Sequence, residues 1–205
     1  MDALDLVLAA DRIGIVAFAV SGVAVGIRAR MDLYGLLALG IVTAIGGGVT
    51  RDVVIGDIPR VFQNVDYLLF AVGATTLAVG AGALGWRAPG AILKAADAIG
   101  TGAFAPTGAL LAHEAGLAWP AAIILAILTA TGGGILRDVL ATQSPQVLHA
   151  GLNATASILG GAVTVLLIAD PTLAVVSGGL VAAGVTALGH TGWVSLPRLQ
   201  PDDEG

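Results

Sequence analysis

The sequence predicts an all-α membrane protein: seven transmembrane helices, built as two inverted three-helix repeats plus a seventh helix, with Gly-broken helices 2 and 5. Three observations carry this reading. The 205 residues are 57% hydrophobic and only 11% charged, with mean hydropathy +0.94, whereas a soluble domain carries roughly 25% charged residues. The charges gather in short clusters separated by apolar stretches long enough to cross a ~30 Å hydrocarbon core as helices. And the motif GGGxxRD occurs twice, at Gly46 and at Gly132.

Seven spans follow in order: residues 5–27, 34–55, 66–86, 91–112, 119–140, 150–169 and 172–190. The connectors carry polar and helix-breaking residues, among them Arg28, Arg30 and Asp32, then Gly56, Asp57, Pro59 and Arg60, then Arg87 and Pro89, His113 and Glu114, Ser144 and Pro145, and Asp170 and Pro171. Tyr34, Tyr67, Trp86, Trp119 and Trp193 fall at span ends, the placement of an aromatic belt at the two membrane interfaces. A single membrane domain over residues 1–205 is expected, with repeat units 5–86 and 91–169, the seventh span 172–190 and a polar tail 191–205.

Orientation follows from basic residues in short loops. With the N-terminus outside and the C-terminus cytoplasmic, Arg28, Arg30, Arg87, Lys94 and Arg198 collect inside, against Arg12 and Arg60 outside. The start of the chain lacks a cationic signal-peptide region, so no cleavage is expected. The formal charge of -5 owes much to Asp202, Asp203 and Glu204, read as a solvated end. No basic patch with interleaved aromatics points to nucleic acid. Zero cysteines exclude disulfides and thiolate metal sites, and three scattered histidines have no metal-ligand spacing.

Shifting the sequence by 86 positions aligns residues 11–54 with 97–140 without a gap, and about 18 of the 44 pairs are identical. Asp11 falls on Asp97, Gly14 on Gly100, Phe18 on Phe104 and Gly22 on Gly108. Thr43 falls on Thr129, the glycine triplets coincide, and Arg51-Asp52 falls on Arg137-Asp138. Low-complexity Ala and Gly do not generate the paired Asp, Phe and Arg-Asp positions. Three spans separate each residue from its copy, and three is odd, so the units are expected to cross the membrane in opposite directions. Inverted repeats with matching Gly-interrupted helices point to a transport path at the repeat interface.

Gly46, Gly47 and Gly48, and their copies Gly132, Gly133 and Gly134, each cost about 1 kcal/mol against Ala inside a helix. Three together invite an unwound turn, whose polar groups must be buried in protein or face water. One turn on, Arg51 and Arg137 cost about 2.5–3.5 kcal/mol at a helix centre. This fits a water-filled path lined by carbonyls, by the hydroxyls of Thr43 and Thr129, and by charge. The competing reading is that the glycines serve only close helix packing, the expected role of Gly22, Gly26, Gly160, Gly161, Gly178, Gly179 and Gly184. The Arg-Asp pairs alternatively anchor the helices at the interface.

Asp11 and Asp97 are the candidate counter-charges. Antiparallel packing of spans 1 and 2 sets Asp11 at the depth of Arg51, and the copy pairs Asp97 with Arg137. Asp52 and Asp138 are weaker candidates, since adjacent residues point apart on a helix. The copies also differ: Pro106 replaces Val20, so only span 4 is expected to kink, and His113-Glu114 replaces Ile27-Arg28, a solvated loop pair. The sequon at Asn153 lies at the start of a span and is discounted.

The doubled GGGxxRD in two inverted three-span units, followed by a seventh span, resembles the TRIC family of trimeric intracellular cation channels, and more closely its prokaryotic branch, long described as uncharacterised or glycine-transporter-like. The resemblance covers residues 5–190. It implies a homotrimer in membrane lipid, each subunit holding a pore walled by spans 1, 2, 4 and 5, with spans 2 and 5 broken at their glycines. It implies passive conduction of monovalent cations, mainly potassium, and no cofactor beyond the permeant K+ or Na+. The lysine motif and lipid-linked regulation of animal members have no counterpart placed on this sequence.

On that reading the pore-lining set is Gly46, Gly47, Gly48, Arg51, Asp52, Gly132, Gly133, Gly134, Arg137, Asp138, Thr43, Thr129, Ser21 and Thr107. The arginines repel a cation unless Asp11, Asp52, Asp97 and Asp138 neutralise them. Hydroxyls replace part of an ion's hydration, and the absence of a TVGYG-like filter predicts modest selectivity. Two other readings stay open from the residues alone: a secondary transporter of a small solute such as glycine, and a non-conducting scaffold. No nucleophile–base constellation points to an enzyme.

Overall fold

Long apolar stretches punctuated by Gly, Pro and Asp fold as helices throughout the computed structural model, which describes residues 3–148 and 152–191. The helices are α1 (Ala3–Arg28), α2 (Leu33–Ile55), α3 (Arg60–Gln63), α4 (Val65–Ala83), α5 (Gly90–Glu114), α6 (Trp119–Leu140), α7 (Asn153–Leu166) and α8 (Pro171–Thr191), with a single 3-10 turn at Gln146–Leu148. Among the described residues α1, α2, α4, α6 and α8 are long and apolar enough to cross a membrane. This is an integral membrane protein. Trp193, Arg198 and the expected polar tail beyond residue 191 lie outside the described residues.

α1 and α5, equivalent in the repeat, form the centre. α5 packs on α1, α6, α7 and α8 and is buried almost continuously from Ala96 to Ala112. Its Gly, Ala and Thr content permits that enclosure and explains why its hydropathy is lower than that of the outer helices. Pro106 sits inside α5 without ending it. Lacking an N–H, it leaves the Gly102 carbonyl without its helical donor. α8 meets that carbonyl at Gly179, where an added Cβ would lie 2.8 Å from the Gly102 oxygen.

The glycine triplets do not break their helices. α2 runs unbroken from Leu33 to Ile55 and α6 from Trp119 to Leu140. The expected unwound turns are replaced by a helix crossing: a Cβ on Gly47 would overlap the Thr129 carbonyl oxygen, and a Cβ on Gly133 the Thr43 carbonyl oxygen. Backbone-to-backbone approach of this kind, with Cα–H facing a carbonyl, supplies packing that offsets the propensity cost. The packing reading therefore accounts for Gly46, Gly47, Gly132 and Gly133.

The helix ends repeat as faithfully as the crossing. Gly56 closes α2 at φ +93°, and the residue 86 positions on, Thr142, follows α6 at φ +56°. Asp57 N donates to the Asp52 carbonyl at 2.9 Å and Gln143 N to the Asp138 carbonyl at 2.8 Å. Each turn returns the chain to a short helical piece, α3 or the 3-10 turn, which the span pattern does not reveal. The sixth span is shorter than expected, with α7 covering 14 residues. Tyr67 is no belt residue: it is 3% exposed. Gly184 faces open space instead of a packing partner.

Candidate functional site: two buried charge clusters

An arginine one turn beyond each glycine triplet is buried, Arg51 at 1% and Arg137 at 2% exposure. A charge so placed must be paired and hydrogen-bonded. Arg51 donates from Nη1 and Nη2 to the two oxygens of Asp11, 3.0 Å each, and from Nε to Asp52 Oδ1 at 2.9 Å. Arg137 donates from Nη1 to Asp97 Oδ1 at 2.8 Å and from Nε to Asp138 Oδ1 at 2.8 Å. Adjacent residues do pair here, against the helical-wheel expectation. Near the helix end the long arginine stem folds back, so its Nε reaches the neighbouring carboxylate.

Asp52 and Asp138 have a second task. Asp52 Oδ2 accepts from Arg60 N at 2.8 Å, and Asp138 Oδ2 from Gln146 N at 2.9 Å. Each motif aspartate thus caps the short helical piece eight residues on, which ties the arginine to the returning loop. Hydroxyls cross between the repeats. Thr107, from the second unit, donates to Asp11 Oδ1 at 3.1 Å, and Ser21, from the first, to Asp97 Oδ1 at 3.0 Å. Ser21 also accepts from Arg137 Nη1. Ser21 and Thr107 are themselves 86 positions apart.

Each cluster faces a small cavity. The first is lined by Asp11, Ile15, Ala44, Ile45, Gly48, Val49, Arg51, Asp52, Arg60, Val61, Tyr67 and Phe104. The second is lined by Asp97, Thr101, Ala130, Thr131, Gly134, Ile135, Arg137, Asp138, Gln146, Val147, Asn153 and Phe18. Every member of one maps onto a member of the other. Free space is about 10 Å³ in the first and 20 Å³ in the second, room for roughly one water apiece. Phe18 and Phe104 pack against each other with centroids 5.4 Å apart, so each cavity ends on one face of the same aromatic pair. Gly14 makes room for the Phe104 ring, a Cβ there lying 2.7 Å from it, and Gly100 does the same for Phe18.

The residues singled out from sequence divide accordingly. Asp11, Arg51, Asp52 and Thr107 meet in one cluster, and Asp97, Arg137, Asp138 and Ser21 in the other. Gly48 and Gly134 line the cavities, leaving space beside the guanidinium groups. Thr43 and Thr129 do not: their hydroxyls donate to the Leu39 and Leu125 carbonyls of their own helices, 2.6 Å each, and press on Gly22 and Gly108. Sequence reasoning missed Tyr67, which donates to Asp11 Oδ2 at 3.3 Å, and its counterpart Asn153. The 86-residue shift pairs the two positions, but an unlike pair, Tyr and Asn, carries no signal of a shared site.

Comparison with known proteins agrees with this doubled plan. The family model described as "Glycine transporter" matches twice, over residues 8–82 and 94–169. A UPF0126 membrane protein of Deinococcus radiodurans is 37% identical over 192 residues, covering 91% of this chain and 89% of its own. The UPF0126 inner membrane protein YadS of Escherichia coli is 36% identical over 154 residues, 75% of this chain and 74% of its own. Among solved structures, a TRIC cation channel superposes with TM-score 0.86 at 33% identity, covering 95% of this chain and 97% of that one. The TRIC trimeric intracellular cation channel orthologue from Rhodobacter sphaeroides gives TM-score 0.83 at 34% identity, covering 92% and 98%. The chain belongs to the family described as glycine transporters, whose relatives include the UPF0126 membrane proteins and the prokaryotic TRIC channels.

Proposed function

We propose that this chain is a passive channel for monovalent cations, potassium-preferring, with a pore inside each subunit of a homotrimer. The observation that carries the reading is the pair of neutralised arginine clusters, facing cavities on opposite sides of the Phe18–Phe104 contact. The path runs through the space between α1, α2, α5 and α6. A cation there meets carboxylates and hydroxyls, while the arginines are held by Asp11, Asp52, Asp97 and Asp138. The two halves cross the membrane in opposite directions, because three long helices separate each residue from its copy. The N-terminus is outside and the C-terminus cytoplasmic. The solved TRIC relatives support the passenger, and the trimeric Rhodobacter relative supports the assembly.

The aromatic pair is the closed point of the path. It lies between the cavities, and apolar side chains in contact exclude hydrated ions. Separation of α1 from α5 at this level opens the route. Potassium flux into proteoliposomes tests the reading. The wild-type chain gives flux that rises without saturation, and Phe18→Ala or Phe104→Ala raises it about tenfold. Absence of flux in the wild type and in both variants contradicts it. The family description favours one rival, carriage of glycine, which predicts saturable uptake and counterflow of labelled glycine instead.

A further inference from the structure

The two cavities share their plan but not their chemistry. Four lining positions differ in kind: Ile15 becomes Thr101, Ile45 becomes Thr131, Arg60 becomes Gln146 and Tyr67 becomes Asn153. Every change on passing to the second cavity removes a hydrocarbon, a ring or a positive charge, and brings a neutral polar group. In the first cavity Asp11 and Asp52 face Arg51 and Arg60, and the charges cancel. In the second, Asp97 and Asp138 face Arg137 alone among the described lining residues, which leaves the lining one net negative charge.

Hydrogen bonding follows the same division. Both oxygens of Asp11 are occupied, Oδ1 by Arg51 and Thr107, Oδ2 by Arg51 and Tyr67. Asp97 receives Arg137 and Ser21 on Oδ1, and its Oδ2 has no hydrogen bond among the described residues. Thr101 is 1% exposed, lines the cavity and makes no hydrogen bond among the described residues. Asn153 Oδ1 is buried with no donor. In the first cavity the atom left over is a donor, Arg60 Nη1, which repels a cation. Lys94, one turn before Asp97 on α5, spends its ammonium on the His190 carbonyl at 2.9 Å.

A carboxylate oxygen and a hydroxyl with no hydrogen bond among the described residues, beside a buried amide oxygen without a donor, are a hard-oxygen ligand set. A bare potassium ion needs about the space of one water, which the second cavity supplies. We infer that the Asp97 cavity is a binding subsite for a partly dehydrated monovalent cation, liganded by Asp97, Thr101 and Asn153, and that the Asp11 cavity holds none. The inference rests on the channel reading and sharpens it, making the path one-sided: the ion pauses in one half and only passes the other.

Crystals of the full chain grown in a thallium(I) salt test this directly. The expected result is one anomalous peak in the Asp97 cavity and none beside Asp11. Equal peaks in both cavities, a peak beside Asp11 alone, or no peak in either overturns it. In solution, the detergent-solubilised chain is titrated with potassium chloride against N-methylglucamine chloride at constant ionic strength, following thermal stability. Thr101→Val raises the half-saturating potassium concentration about tenfold, the loss of one ligand. Asn153→Asp, which keeps the shape and adds charge, lowers it, and Ile15→Val leaves it unchanged. An unchanged midpoint in both Thr101→Val and Asn153→Asp sinks the site. Potassium conductance without the thallium peak removes the subsite and keeps the channel. The peak without conductance removes the channel and keeps the subsite.

Discussion

The Asp11 and Asp97 halves are one structure used twice, and the difference between them separates what the fold requires from what the pathway uses. Shared features are architectural: the Gly47 and Gly133 contacts at the crossing, the arginine bound to the aspartate beside it, and that aspartate capping the returning loop. Unshared features surround the cavities: a fully bonded carboxylate with Tyr67 and Arg60 on one side, an incompletely bonded one with Asn153 and Gln146 on the other. A fold-keeping residue is expected to behave alike in both copies. A path residue is expected to differ.

The largest expected effect comes from the arginines. Arg137→Ala leaves Asp97 and Asp138 without an arginine in their cluster and costs about 5 kcal/mol, the upper end for breaking a buried pair. Arg51→Ala costs about 3 kcal/mol, because Arg60 still faces Asp11 and Asp52. Thermal unfolding in detergent measures both, and equal losses erase the contrast between the halves. Next come the crossing glycines. Gly47→Val and Gly133→Val each set side-chain atoms against a backbone carbonyl that cannot retreat, and each costs about 3 kcal/mol. Gly184→Ala, facing open space, is expected to change the melting temperature little. A large difference between the two valine variants removes the equivalence of the crossing.

The smallest effects discriminate most finely. Tyr67→Phe deletes one hydrogen bond to Asp11 and costs about 1 kcal/mol. Asn153→Leu deletes an amide whose oxygen has no donor, and is expected to be neutral or stabilising while reducing potassium flux. Destabilisation by Asn153→Leu larger than that by Tyr67→Phe reverses the assignment of the two sides.

Much of this arrangement was legible in the sequence because charge is expensive in a membrane. Asp11, Arg51, Asp97 and Arg137 stand out against apolar surroundings, and an 86-residue shift superposes them, so their pairing across antiparallel helices is geometry. The glycine triplets were not decidable. The same residues permit unwinding or close crossing, and only the position of the facing helix, Thr129 against Gly47, selects the crossing. Tyr67 reads as an interfacial aromatic from its place near a span end, and only tertiary packing turns its hydroxyl inward to Asp11. The bond from Arg51 to Asp52 was hidden because helical-wheel spacing ignores how a long side chain bends back at a helix end. The short helical pieces after α2 and α6 leave no periodic signal at four and three residues, yet they set the outer walls of the cavities.

The central claim is that cations move through the space between these two clusters, and the reversal potential of purified protein in a lipid bilayer tests it most directly. Under a potassium chloride gradient the account predicts discrete single-channel steps and a reversal potential displaced toward the potassium equilibrium value. A reversal potential displaced toward the chloride value, or a bilayer without steps while labelled glycine is exchanged in counterflow, contradicts it.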